Sequence, residues 1–390
     1  MRYIPRLLEV LLKKKARGFP VLILTGPRRS GKTTLLRRCF PQASYHLLEE
    51  MDLVARIQED PRAFIEGLKR PVILDEIQNA PELLNYIRTQ VDLSGRKKTE
   101  WFLTGSQEPA LMKGVSESMA GRAAVFSLLP FSCAETPKVS VFRGGFPEIA
   151  TKRVDADTWF RSYIQTYLER DIRSISSIRD LATFRRFLSL AASRVGQVLN
   201  RTEIAAPLGV SVPTVTEWLG LLEMTHQILL VPPFYENFGK RAIKSPKIYF
   251  TDSGLAAHLL GIESEKAMMR SPFLGPLFEG FVASEVVKAQ LNRGKRKELY
   301  YFRDRPGLEV DFLVPRGDRH LVLMEAKASK TVRPSDGLSM VRLQKNMRRY
   351  RTSAYVVHLP SPSLEAMSAV GMGVQGISHL KIPEALYPQG

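Results

Sequence analysis

Leu22-Ile-Leu-Thr-Gly-Pro-Arg-Arg-Ser-Gly-Lys-Thr-Thr-Leu-Leu36 decides how the amino-terminal third of the chain is read. Val21 to Leu24 is a short apolar run rich in β-formers. Gly26 to Thr33 then reads G-x-x-x-x-G-K-T, and Thr34 to Phe40 continues with helical periodicity. Strand, glycine loop and helix in that order are the context in which this pattern cradles phosphate. Gly26 and Gly31 let the backbone curl so that its N–H groups point inward, and the start of the helix adds the positive end of a dipole. The expected cradle is Gly26, Pro27, Arg28, Arg29, Ser30, Gly31, Lys32, Thr33 and Thr34. Lys32 is placed to reach the terminal phosphates of a nucleoside triphosphate, and Thr33 to offer its hydroxyl to Mg²⁺.

Working outward, Pro71-Val-Ile-Leu-Asp-Glu76 is a buried-type strand ending in two acids. A parallel strand beside the first would bring Asp75 to the Mg²⁺, and Glu76 to the γ-phosphate, where it can polarise a water. Trp101-Phe-Leu-Thr104 reads as a further strand, followed by Gly105 and Ser106. Thr104 and Ser106 are both candidates to sense the γ-phosphate. Arg122 follows a helical stretch and is a candidate arginine finger, supplied in cis or from a neighbouring subunit.

The chain has 390 residues, enough for two to four domains, and carries 57 Lys and Arg against 39 Asp and Glu, a net charge of +18. The cations cluster at Arg28, Arg29, Arg37 and Arg38, at Lys240, Arg241, Lys244 and Lys247, and at Arg342, Lys345, Arg348, Arg349 and Arg351. Such clustering points to nucleic acid, DNA more than RNA, rather than to a scattered solubilising charge. Cys39 and Cys133 stand far apart and without metal spacing, which argues against a disulfide framework or a zinc site. No apolar run approaches the ~20 residues of a membrane helix. Ile4, Leu7, Leu8, Leu11 and Leu12 repeat at helical spacing with the lysines after them, unlike a secretory leader, so a cytoplasmic protein is expected.

Residues 151 to 195 carry helical periodicity. Arg201 to Gly209 then reads as a short helix and turn, and Ser211 caps a second helix, Val212 to Glu223. Ile228–Val231 and Lys247–Phe250 are candidate strands of a wing. The outward positions at the start of the second helix, Pro213, Thr214, Thr216 and Glu217, hold no cation. Phosphate contact through Arg201 and the 240–247 stretch is therefore expected rather than base reading, and a purely inter-domain role stays open.

Late in the chain, Gly307 to Val314 and Leu321 to Lys327 read as a hairpin. Glu325 and Lys327, two apart on a strand, share a face, and Asp311 on the neighbouring strand can join them. Two carboxylates so placed are candidate Mg²⁺ ligands, with the lysine to orient water or stabilise charge. The opposing reading is an ion pair in which Lys327 merely neutralises Glu325.

The phosphate loop, Asp75-Glu76 and Leu103-Thr-Gly-Ser-Gln107 together resemble an AAA+-type ATPase. Phe142-Arg-Gly-Gly-Phe-Pro147, Tyr167-Leu-Glu-Arg-Asp171 and Tyr249-Phe-Thr-Asp-Ser-Gly-Leu255 resemble a prokaryotic family in which such an ATPase is fused to a C-terminal domain of unassigned function, and the resemblance runs over nearly the whole chain. The C-terminal order of helix, three strands, helix and strand, with Asp311…Glu325-x-Lys327, resembles the restriction-endonuclease-like core. It departs from that core in having Val310 before Asp311. This resemblance implies a further metal-linked acid on the first helix, Glu279, with Glu285 as the fallback.

The expected fold class is thus α/β. A P-loop parallel-sheet ATPase domain (1–140) is followed by a helical region with a winged helix-turn-helix (141–265) and a small α/β restriction-endonuclease-like domain (266–390), with Pro272 to Pro276 as linker. The expected function is ATP binding and hydrolysis acting on nucleic acid, with a metal-dependent nuclease site at the C-terminus. The alternative is a nucleotide-controlled switch or a DNA- or protein-binding module whose nuclease-like domain is catalytically silent. A nucleotide-dependent homo-oligomer, with Arg122 reaching across the interface, is a third expectation.

Overall fold

A computed structural model describes residues 3–95, 98–106, 119–151, 154–168, 180–234, 245–317, 319–360 and 367–388. Glu169, Arg170 and Asp171, Gln107, and the cations from 240 to 244 lie outside the described residues. The chain divides into two compact units. One comprises Met1–Phe131, Met224–His226 and Leu291–Lys295; the other comprises Ser132–Glu223, Gln227–Gln290 and Arg296–Gly390. Among the described residues no helix is long and apolar enough to cross a membrane.

The first unit is built on five parallel strands, β1 (Val21–Thr25), β2 (Ser44–Leu47), β3 (Val72–Asp75), β4 (Trp101–Gly105) and β5 (Ala123–Ser127), in the order β2-β3-β4-β1-β5. The central strands are apolar at nearly every position because both faces of the sheet are covered. Val21, Ile23, Val72, Leu74 and Leu103 pack into one core, with Leu83, Leu84 and Ile87 of the helix Leu83–Ser94. Leu22, Leu24, Ile73 and Phe102 point into the other, with Leu35 and Leu36 of the helix Lys32–Cys39.

One expectation is corrected here. The strand that ends in Asp75 does not lie beside β1, because β4 is inserted between them. Apolar strands of this kind look alike, and nothing in their side chains specifies which one takes the centre. The insertion carries Thr104 and Gly105 between the phosphate loop and Asp75, which positions the site described below.

The second unit begins its helical part with Leu181–Ser193, Arg201–Leu208 and Val212–Met224. Phe184, Phe187 and Trp218 pack edge-on to hold the first and third of these together. Asn200 caps the helix Arg201–Leu208 by accepting from Thr202 N, and Gly209 ends it with a left-handed φ of 68°. Pro213, Thr216 and Glu217 face outward as expected. The antiparallel pair β6 (Ile228–Val231) and β7 (Lys247–Phe250) follows.

The same unit contains a six-stranded sheet. Its strands are β8 (Tyr300–Arg303), β9 (Glu309–Pro315), β10 (His320–Lys327), β11 (Arg351–His358), β12 (Met367–Gly371) and β13 (Val374–Ser378), in the order β12-β13-β11-β10-β9-β8. β9 and β10 form the expected antiparallel hairpin. β10 and β11 run parallel, and the helix Leu338–Asn346 makes the crossover that a parallel pair requires. The helix Leu274–Leu291 is buried on nearly all sides. It begins inside the stretch expected as a linker: Pro276 sits in its first turn, where a missing N–H costs nothing.

Candidate functional site

Gly26 has φ 138°, and a Cβ there would come within 2.2 Å of the Leu128 carbonyl oxygen, so only glycine lets the loop leave β1. Gly31, at φ 95°, turns the chain into the helix Lys32–Cys39. Arg6, which no motif marks, reaches across to the loop: its guanidinium donates to Ser30 O at 2.9 Å and to Leu129 O at 2.6 Å. Lys32 is 5% exposed and its Nζ donates to the carbonyls of Gly26 (3.0 Å) and Pro27 (3.1 Å). Arg28 pairs with Glu49 at 2.9 Å, Arg29 adopts φ 63°, and Thr34 is exposed on the helix.

The carboxyl ends of β3 and β4 complete the constellation. Thr33 Oγ1 donates to Asp75 Oδ2 at 2.7 Å, so the two expected Mg²⁺ ligands stand together. Tyr45 of β2 donates to the same oxygen at 2.8 Å, and Thr104 of β4 donates to Asp75 Oδ1. Glu76 N donates to Thr104 Oγ1 at 3.1 Å. Thr104 is thus committed to fixing the two acids, and of the two sensor candidates it is Ser106 that touches the Glu76 carboxylate, donating at 3.0 Å. Gln78 Nε2 donates to the same Glu76 oxygen at 2.6 Å. Burial would push the Glu76 carboxyl up, but Lys32 and Arg28, with these two hydrogen bonds, outweigh it and hold the group below its usual range. Tyr45 and Gln78 were not marked in the sequence, because neither belongs to a spacing pattern.

The cradle fits a magnesium-bound triphosphate. Its lysine is directed onto loop carbonyls, its two expected oxygen ligands are already paired, and the buried Ser30 Oγ has no hydrogen-bond partner among the described residues.

Arg122 is corrected as a finger in cis. Its carbonyl accepts from Val21 N at 3.3 Å, at the start of β1, whereas the loop follows the end of that strand, about 16 Å away. Its guanidinium clasps Asp92 at 2.6 and 3.0 Å.

The second constellation lies at one end of the interior strands β9 and β10 of the six-stranded sheet. Asp311 Oδ2 accepts from Ala326 N at 2.9 Å, and Lys327 Nζ donates to Glu325 Oε1 at 2.9 Å, so hairpin and shared face are as expected. Glu279 joins the group through Lys247, whose Nζ lies 3.0 Å from Glu279 Oε1, 2.7 Å from Glu309 Oε1 and 3.8 Å from Asp311 Oδ1. Tyr249 also donates to Glu279. Glu285 takes no part, since it is buried against Lys288 and Cys133 N. Burial and then the neighbouring Asp311 push Glu325 up to about 8 and Glu279 up to about 7. Burial likewise raises Asp311.

Among the described residues no three His, Cys, Asp or Glu side chains are grouped to hold a metal ion. Asp311, Glu325 and Glu279, expected as Mg²⁺ ligands, are not grouped for a divalent cation as they stand: Lys327 and Lys247 each take one oxygen of Glu325 and Glu279, Ala326 N takes one of Asp311, and Glu325 Oε2 is buried with no hydrogen-bond partner among the described residues. Sequence reading placed Lys247 on a wing facing phosphate; the structure turns it inward.

A five-stranded parallel sheet with this loop, paired acids and inserted strand is the core of an AAA-type ATPase. Residues 18–136 match the family described as AAA domain; residues 137–266 and 274–367 match two domains of unknown function, DUF8612 and DUF4143. Uncharacterized protein Rv2008c of Mycobacterium tuberculosis and uncharacterized protein Mb2031c of Mycobacterium bovis are each 32% identical to it over 317 residues, covering 79% of this chain and 70% of theirs. The chain belongs to the family of these mycobacterial proteins.

Among solved structures, it is similar to the Walker-type ATPase PABY2304 of Pyrococcus abyssi, with 16% identity, 65% of this chain and 94% of that chain covered, and TM-score 0.42. It is also similar to the RuvB Holliday junction branch migration motor of Thermotoga maritima, with 18% identity, 58% and 87% covered, and TM-score 0.28.

Proposed function

We propose that this chain binds ATP with Mg²⁺ at Gly26–Thr34, hydrolyses it, and uses the cycle to act on nucleic acid in the cytoplasm. The observation that carries the hydrolytic part is the single cluster of Lys32, Thr33, Asp75, Glu76 and Ser106, in which Glu76 is held ionised. Lys32 balances charge on the terminal phosphates, while Thr33 and Asp75 supply oxygens to Mg²⁺, which offers Lewis-acid polarisation when bound. Glu76, aimed by Gln78 and Ser106, takes the proton of the attacking water.

The nucleic-acid part is supported by the +18 charge and by exposed Arg342, Lys345, Arg348, Arg349 and Arg351, none of which pairs with a carboxylate among the described residues. Hydrolysis measured alone and with single-stranded DNA, duplex DNA or RNA tests the whole reading. Stimulation by one of these, abolished in Lys32→Ala, is expected; a well-folded wild type that hydrolyses no ATP in any of them defeats it.

Of the two readings of the C-terminal part, a metal-dependent nuclease or a silent nuclease-like domain, we take the second. The buried Lys247 ammonium supports it, because it stands among Glu279, Glu309 and Asp311 where a metal would need their oxygens. DNA and RNA left intact with Mg²⁺ and with Mn²⁺ are expected; cleavage lost in Asp311→Ala restores the nuclease. Arg122, half-buried and remote from its own loop, would have to leave Asp92 to serve a neighbouring subunit in a nucleotide-dependent oligomer, which light scattering with and without ATP reads directly.

A further inference from the structure

Lys247 is 3% exposed, yet its ammonium has three carboxylates around it, from two different elements. Glu279 comes from the helix Leu274–Leu291; Glu309 and Asp311 stand two apart on β9. The face of the Tyr301 ring closes a further side, 5.6 Å from Nζ. The lysine is also fixed at its backbone. It pairs with Val231 across β6–β7, and Val198 bridges it on the other side. Leu199 N donates to Pro246 O at 2.8 Å and Ile248 N to Gln197 O at 3.2 Å, so the main chain on both sides of Lys247 is held.

A buried ammonium is costly unless paired, and clustered carboxylates cannot all keep their charge without a cation among them. A divalent ion meets that need through oxygens at 2.0 to 2.6 Å, in the range quoted for Mg²⁺ and Ca²⁺. Here the same lone pairs already receive N–H bonds at 2.7 and 3.0 Å. Ammonium and metal therefore compete for one set of oxygens, and the ammonium is tethered.

We propose that Lys247 is the resident cation of this acidic group and excludes a divalent metal from it. The exclusion is chemical rather than steric: it comes from the charge at the end of the side chain. Removing that charge while keeping the apolar stem lets Glu279, Glu309 and Asp311, not grouped for a metal as they stand, close on a divalent cation. This rests on the silent reading of the C-terminal part and is independent of the ATPase.

The test is Mn²⁺ binding to the full chain without nucleotide, read from loss of the free-ion electron paramagnetic resonance signal. Wild type, Asp311→Asn, Lys247→Met and the double variant are compared. The expected result is equal binding by wild type and Asp311→Asn, a gained Mn²⁺ in Lys247→Met, and loss of that gain in the double variant. An Asp311-dependent Mn²⁺ in wild type overturns the proposal, whether or not Lys247→Met folds. A folded Lys247→Met that gains nothing overturns it too, but leaves the silent reading standing. The silent reading itself falls only to Asp311-dependent cleavage of nucleic acid by wild type.

Discussion

At the scale of single residues, the chain combines a legible loop with an illegible frame. Gly26, Lys32, Thr33, Asp75 and Glu76 follow from spacing, because a backbone that wraps phosphate tolerates few alternatives at each place. Arg6, Tyr45 and Gln78 do not, since hydrogen bonds from distant elements leave no periodic trace. Glu76 shows what the frame accomplishes. It sits at φ 59° and ψ 52°, a left-handed conformation costing a non-glycine residue about 1–2 kcal/mol, and two donors aim its carboxylate. Glu76→Gln should therefore leave ATP binding intact and lower the hydrolytic rate about a hundredfold or more, as single-turnover measurement would show.

A second residue-scale prediction concerns Gly144, at φ 68°, where a Cβ would stand 1.9 Å from Asp252 Oδ1. Asp252 accepts from Gly145 N at 2.7 Å and from Leu255 N at 3.1 Å, so the segments Phe142–Pro147 and Tyr249–Leu255 meet there. Gly144→Ala should lose about 3 kcal/mol of stability, visible as a lower denaturation midpoint. An unchanged midpoint would show the clash relieved at no cost.

At the scale of elements, most strands and helices of the C-terminal part fall within a few residues of the positions that apolar patterning gives. Their neighbours do not follow from it, because pairing order is decided by tertiary packing. The insertion of β4 in the first unit is decided in the same way.

The helix Leu274–Leu291 also buries a histidine. His379, in the short turn His379–Lys381, lies against Phe278 and Phe281, and burial there pulls its pKa down to about 4. The unfolded chain takes up this proton near pH 6.5 and the folded chain only near pH 4. The contribution is thus whole above pH 6.5 and is lost progressively as the pH falls from 6.5 to 4, by up to about 3 kcal/mol. Denaturant midpoints should fall more steeply over that window in wild type than in His379→Leu. Parallel slopes would remove His379 as the cause.

At the scale of the molecule, exposed cations concentrate toward one end of the six-stranded sheet. Lys327 ends β10 opposite His358, while Arg351 begins β11 opposite His320, seven residues and about 23 Å away. The acidic group is therefore at one end of the sheet. The exposed cations of the helix Leu338–Asn346 and of residues 348, 349 and 351 run toward the other. Cations also stand near the acids, at Arg303, Lys330 and Arg333, so the far cluster is the denser one rather than the sole one, and under the proposed function it is the surface on which a strand would be held. Each cation that meets a phosphate adds close to one unit to the dependence of log K on log salt. Replacing Arg348 and Arg349 together by alanine should weaken binding alike for all sequences and reduce that slope by about 2, without changing the rate of ATP hydrolysis in the absence of nucleic acid. The acids make the matching control. If the proposed strand is held at the far end, Asp311→Asn should leave the salt slope where it is, because its carboxylate is already engaged by Lys247 and Ala326 N. A slope that responds to Asp311→Asn and ignores the arginine pair would move the strand to the acidic end.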